Sequence, residues 1–263
     1  MFYVQESLRA YLFVFGLVFF LALELLMPYR PRTVSRLRRW AQNLGITFFN
    51  SVLLKLCFTS LILASVAYVQ KNNIGLLATL SAPNWVKFVA TVLVFDLILY
   101  LWHRVNHEVP FFWRFHRVHH SDLNMDVSTA TRFHIGELAF SAILKIGLIF
   151  LLGPTGLGLV IFESAVVLCA QFHHSSLKVA GWFEKLFWIL FVPPSMHRIH
   201  HSVIIKQRNT NYGAIFSLWD RVGKTFLRDV DQKKIRIGLG AYPHAPALTF
   251  FALFLMPFTK TVK

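Results

Sequence analysis

The chain has 263 residues, of which 56% are apolar, 16% aromatic and only 15% charged, and it carries a formal charge of +15. That balance excludes an ordinary soluble domain and a disordered chain, and two cysteines set inside apolar runs, Cys57 and Cys169, exclude a disulfide framework. So apolar a chain has no broad solvated face for a nucleic-acid duplex, and its positive charge points instead to an anionic membrane leaflet.

In chain order, the first apolar run covers residues 10–23. A single basic residue, Arg9, precedes it and Met27-Pro28-Tyr29-Arg30 follows without a small-residue cleavage site, which predicts a retained membrane anchor. The runs 52–69 and 85–102 approach the ~20 residues that a span requires. The runs 138–152 and 157–172 are shorter, are joined by Gly153-Pro154-Thr155-Gly156, and the first is interrupted by Lys145. They read as a hairpin that either crosses the bilayer or dips into it. A last short apolar run covers 245–258.

Of the 27 Lys and Arg, five fall in 28–42, four in 103–136 and eleven in 173–240, whereas 70–84 holds one and 152–157 none. The positive-inside rule places the three basic segments in the cytoplasm. The fold expected is all-α: a polytopic helical membrane bundle with a cytoplasmic helical cap, built largely from 173–240, that carries a multi-histidine two-metal site.

Eleven of the twelve histidines lie between His103 and His201. His103-Arg104-Val105-Asn106-His107 is H-x-x-x-H at the inner end of the third apolar run, where i and i+4 share a helix face. His116-Arg117-Val118-His119-His120 is H-x-x-H-H, and His197-Arg198-Ile199-His200-His201 repeats it. On a helix, residues three or four apart form a chelating edge while an adjacent residue points about 100° away, so one segment can serve two metals. His134 and the pair His173-His174 stand between the boxes. Neutral imidazole suits iron, zinc, copper and nickel alike, so spacing gives a two-metal site without naming the metal. His244, outside every box, reads as an ordinary hydrogen-bonded core histidine.

The run W-H-R-x-x-H-x-x-P-x-x-W-R-F-H-x-x-H-H-S-D from Trp102, followed by R-F-H-x-x-E to Glu137, resembles the fatty acid hydroxylase and sterol desaturase superfamily. So do Phe172-His173-His174-Ser175, the box from Met196 to His201, Asn211-Tyr212-Gly213 and Trp219-Asp220-Arg221, and the likeness covers roughly residues 85–228. It implies an integral-membrane, non-haem di-iron oxygenase that uses dioxygen and two electrons to hydroxylate or desaturate a lipid. Two iron ions are the implied cofactor, with zinc as a substitute on purification. Carried over residue by residue, His103, His107, His116, His119, His120, His174, His197, His200 and His201 are the implied ligands and catalytic set, and His134 and His173 join them as metal-ligand candidates. Cys169 and Ala170 stand where members acting on the 2-position of fatty acyl chains carry a further histidine. The resemblance divides the chain into N-terminal anchor helices (1–84), a catalytic domain (85–240) and a C-terminal apolar segment (241–263). No haem-binding His-Pro-Gly-Gly stretch occurs, so the implied electron donor is a separate ferredoxin or cytochrome b5-like protein with its reductase.

Three acids are candidates for orienting imidazoles: Asp96, seven residues before His103 and on the same helical face, Asp122 and Asp220. A metal transporter would place mixed ligands at mid-membrane, and a bis-histidine haem protein would have no use for H-x-x-H-H. Gly223-Lys224-Thr225 lacks the first glycine of a phosphate-binding loop, since Leu218 occupies that position.

Overall fold

A computed structural model of the protein describes residues 2–260. The long helices are α1 (Phe2–Leu26), α2 (Arg36–Leu54), which continues through a π-helical turn (Lys55–Thr59) into α3 (Ser60–Lys71), then after the short α4 (Leu76–Thr79) α5 (Asn84–Glu108), α6 (Pro110–His120), α7 (Ile135–Leu152) and α8 (Gly156–His174). Shorter helices build the cap: α9 (Gly181–Leu190), α10 (Pro194–His200), α11 (Ile205–Arg208) and α12 (Leu218–Val222), with α13 (Phe250–Leu255) near the end. Among the described residues no strand forms beyond three isolated bridges.

Local chemistry sets the boundaries. Ser35 caps α2, Thr155 caps α8 through Gly158 N, and Pro110 opens α6, where its missing N–H is no loss. α7 stops at Gly153, whose φ of +60° suits a residue without Cβ. Gly75, at φ +101°, lies against Gly153 so closely that a Cβ on either would strike the other's backbone or its neighbour's. This contact gathers the connection 70–84 and the α7–α8 turn at one end of the bundle. The histidine-bearing ends of α5 and α8, and the start of α7, lie at the other.

Among the described residues, five stretches are long and apolar enough to cross a membrane: Leu8–Leu26, Arg36–Thr79, Asn84–Glu108, Ile135–Leu152 and Gly156–His174. The protein is a multi-pass membrane protein, and large side chains such as Phe15, Leu56, Trp85 and Leu151 on the outside of the bundle suit lipid. The hairpin left open by the sequence has two helices of 18 and 19 residues, roughly 27–29 Å at 1.5 Å per residue, which is the length of a crossing. Lys145, which argued for a dip, is paired: its Nζ lies 2.6 Å from Glu163 Oε1 on α8, a carboxylate whose other oxygen takes Arg9 of α1 at 2.5 Å. In lipid the hydrophobic effect does not draw helices together, so such internal polar ties and close packing do that work.

Two expectations are corrected. The second apolar run was expected over 52–69, yet its helix begins at Arg36, and Arg39, Asn43, Thr47 and Asn50 form a polar stripe at three- and four-residue spacing that grips the segment 122–133. His244 is exposed, not part of the core. The segment 245–258 does not span: Leu248, Leu253 and Met256 pack on Ile46 and Val118, and Arg117 donates to the carbonyls of Met256, Thr259 and Lys260.

Candidate metal centre

α5 presents His103 and His107 one turn apart, α6 presents His116, His119 and His120, α8 ends on His173 and His174, and α10 with its cap residue supplies His197, His200 and His201. Nine of these histidines form two groups. His103, His107, His116, His120 and His200 make the first; His119, His174, His197 and His201 make the second; within each, one nitrogen per residue lies within 4.8 Å of all the others. The two H-x-x-H-H boxes are used in reciprocal fashion. Each gives its i, i+4 pair to one group, His116/His120 to the first and His197/His201 to the second. Each gives its i+3 residue, His200 or His119, to the group dominated by the other box. Helical phase explains this, since i+4 stays within about 40° of i while i+3 swings about 60° the other way.

The donor set fits metal ions. In the second group His174 Nε2 lies 3.0, 2.9 and 3.2 Å from the Nε2 atoms of His119, His197 and His201. His174 Nδ1 donates to the Ala170 carbonyl at 2.7 Å, which fixes the tautomer and leaves Nε2 a lone pair. Four nitrogens held about 2.0–2.1 Å from one ion would stand roughly 3.4 Å apart, close to what is seen. In the first group the Nε2 atoms of all five imidazoles are buried without a hydrogen-bond partner. Buried polar atoms are seldom left so, and a shared cation would satisfy them together. Burial, and after it the neighbouring imidazoles, push His119, His120, His197 and His201 well below the usual imidazole range, as burial does His200, so their neutral, metal-binding form is favoured.

Several imidazoles are oriented from behind. His103 Nδ1 donates to the Tyr212 carbonyl at 2.7 Å, His200 Nδ1 to the Thr210 carbonyl at 2.8 Å, and His116 Nδ1 faces Glu137 Oε1 at 2.8 Å. Glu137 was missed as a functional residue, although the R-F-H-x-x-E string that contains it was visible. In the first turn of α7 it points back at α6.

The three aspartates expected to orient imidazoles touch none. Asp96 accepts from Ile215 N, Phe216 N and Trp219 Nε1. Asp220 accepts from Tyr212 N and Gly213 N, each at 2.8 Å, and from Thr225 Oγ1. Together they hold the loop whose Tyr212 carbonyl aims His103, so their action is one step removed. Asp122 takes Arg39, Asn43 and Thr129; burial alone would raise its carboxyl, but Arg39 and then Arg132 hold it below the usual carboxylate range. His134 lies outside both groups: its Nδ1 accepts from Gly136 N and caps α7, and Nε2 donates to the Phe254 carbonyl. With both nitrogens engaged it has none left for a metal. His173 also stands outside them, facing the Ala214 carbonyl with its ring 4.0 Å from that of His197.

A largely apolar cavity of about 340 Å³ lies between α5, α7 and α8. His103, His116, His119 and His174 form its wall at one end; Leu99, Leu144, Leu148 and Val166 line its flanks; Lys145 and Glu163 border it deeper in the bundle.

Residues 88–225, just over half of the sequence, match the model of the fatty acid hydroxylase family, and the chain belongs to that family. It is 29% identical over 179 residues to an ornithine lipid hydroxylase of Rhizobium tropici, covering 68% of this chain and 52% of that protein. Human alkylglycerol monooxygenase is 28% identical over 184 residues, 70% of this chain and 39% of the relative, and human cholesterol 25-hydroxylase is 25% identical over 134 residues, 50% and 47%. The matched stretch thus spans about half the length of these relatives, or less. No solved structure matches the chain.

Proposed function

We propose that the protein is a membrane-bound oxygenase that hydroxylates a lipid, with two irons held by the two histidine groups. The observation that carries this reading is the shared wall: members of both groups face one apolar cavity inside a membrane bundle. An unactivated C–H is beyond any side-chain acid or base, so its oxidation calls for redox chemistry that a metal held by these histidines would supply. Two irons held by the two histidine groups would supply dioxygen activation driven by two electrons, the overall reaction placing one oxygen atom in the C–H bond and the other, with two protons, in water. The chain's own part is positional. Leu99, Leu144, Leu148 and Val166 exclude water and hold an alkyl chain along the cavity, while Glu137 and the Tyr212 carbonyl fix His116 and His103, which face it.

Hydroxylation is favoured over desaturation because these three relatives are a hydroxylase, a monooxygenase and a hydroxylase. Two of them are named for polar-headed lipids, an ornithine lipid and an alkylglycerol, which supports a headgroup-bearing substrate. We place the site on the cytoplasmic face, because twenty of the 27 Lys and Arg fall in segments at the histidine end. There a separate ferredoxin or cytochrome b5-like donor would reach it. Labelling of Lys233→Cys, but not Asn72→Cys, from the cytoplasm in a Cys57→Ser background tests the side, since both positions and Cys57 are exposed.

The test of function is purified protein in lipid nanodiscs, assayed for metal content and for oxygen incorporated into lipid by mass spectrometry with labelled dioxygen. Iron-dependent gain of one oxygen atom, together with lipid profiles of the source cell that change when the protein is removed, is the expected result. A fully metallated, active protein with a single ion, or metal transport without lipid oxidation, would overturn the reading.

A further inference from the structure

A second cavity, of about 610 Å³, shares no lining residue with the apolar one. α10 presents His197 to the apolar cavity and Arg198 to this cleft. Six arginines line it, Arg30, Arg32, Arg36, Arg39, Arg198 and Arg236, against two carboxylates, Glu24 and Asp126. Asp126 is spent inside the protein, and Glu24 is half engaged, its Oε2 buried without a hydrogen-bond partner among the described residues. Glu24 Oε1 accepts from Val127 N at 2.8 Å and Ser176 N at 2.7 Å, and Asp126 Oδ2 accepts from Arg39 at 2.6 Å. Arg30 donates to the carbonyls of Gln232 and Ile235, and Arg198 bonds Gln232 and lies 3.8 Å over the Tyr29 ring.

Two guanidinium groups are left over, and a third, Arg36, has only a loose ion pair. Arg36 approaches Glu24 Oε2 only to 3.8 Å, and its Nε is buried without a partner. Arg32 and Arg236 are exposed, and among the described residues no carboxylate pairs with either. Arg32 is close enough to Arg36 for the two charges to repel. The excess of arginines over carboxylates around a concavity of ligand-binding size is a standing electrostatic cost that a polyvalent oxyanion removes, and the guanidinium fork matches phosphate oxygens in pairs. The cleft lies where α1 ends and α2 begins, at the membrane-interface end of the bundle, beside exposed Leu25, Leu26 and Met27. A phosphate there would sit at headgroup level with apolar surface next to it for acyl chains.

We propose that this cleft is a phosphate site that takes the phosphoryl headgroup of an anionic membrane lipid. The proposal is independent of the oxygenase reading. It is tested on full-length protein in detergent by native mass spectrometry, titrating phosphatidic acid, phosphatidylcholine and inorganic phosphate separately. Phosphatidic acid should be retained over phosphatidylcholine, and Arg32→Gln/Arg236→Gln should weaken that retention about tenfold or more, the weight of two interfacial cations. Both side chains are exposed, so the melting temperature should not change. Lys185→Gln/Lys206→Gln, which removes two exposed charges outside the cleft, should bind as the wild type does. Inorganic phosphate that binds as well as the lipid, and is lost in the same arginine variant, would assign the same chemistry to the free ion. The proposal is overturned if neither phosphate species binds selectively, if both double variants lose binding equally, or if only an acidic protein partner distinguishes wild type from the arginine variant.

Discussion

The two histidine groups are built differently. In the first, three of five rings are aimed from outside: His103 by the Tyr212 carbonyl, His200 by the Thr210 carbonyl and His116 by Glu137. In the second, among the described residues, only His174 has such a partner, the Ala170 carbonyl, while the Nδ1 atoms of His119, His197 and His201 are buried and unpaired. The first group is held by the protein; the second converges on itself. A preorganised site keeps its shape without its ion, whereas rings that meet only through their lone pairs depend on the cation between them.

The largest effect that would break this contrast is on metal retention. On the proposed two-iron reading, His103→Ala should abolish lipid oxidation while the second group keeps its ion, lowering the metal content by about one ion per chain. His174→Ala should abolish oxidation and also lower the melting temperature, because it removes the hub of the second group and unties α8 from α10. Elemental analysis with a thermal melt separates these outcomes, and identical metal loss and stability in the two variants would remove the distinction.

Glu137 comes next. Glu137→Ala should reduce activity or first-group metal affinity by about 10–100-fold, whereas Glu137→Gln keeps an oxygen that accepts from His116 Nδ1 and should recover much of it. Equal loss in the two variants would show that the charge matters and the aim does not.

Asp220 provides a pH test. Burial raises its carboxyl to about 6, against opposing hydrogen bonds from Thr225, Gly213 and Tyr212. With an ordinary value near ~3.9 in the unfolded chain, the folded protein holds a proton that the unfolded one has released between about 4 and 6. Stability from this group is therefore present at the acid side of that window and falls as pH rises through it. The stability of wild type relative to Asp220→Asn should shrink between those limits, and chemical denaturation at several pH values would show a flat difference if the assignment is wrong.

The smallest effect belongs to His134. His134→Ala removes the N-cap of α7 and the hydrogen bond to the Phe254 carbonyl, and should cost roughly 1–3 kcal/mol of stability. Metal content should stay unchanged, which elemental analysis beside a denaturation curve would check.

The membrane class, the all-helical fold and the histidines that the structure gathers into two groups were all legible in the chain alone. Those signals are local: apolar run length, and side-chain spacing measured against 3.6 residues per turn. The i, i+3, i+4 pattern even announced that one box could serve two sites. Which ring joins which group was legible only in three dimensions, because the phase between α6 and α10 depends on how the two helices pack. The same holds for the partners. Asp96, Asp122 and Asp220 stood near histidines in sequence but turned toward backbone amides and Arg39, while Glu137, 21 residues from His116, reached it through the start of α7. Lys145 could be read as a bar to crossing until Glu163 was seen beside it on α8. A charge inside an apolar helix has its cost decided by a neighbour on another helix, and such pairings are set by tertiary packing, which no local spacing encodes.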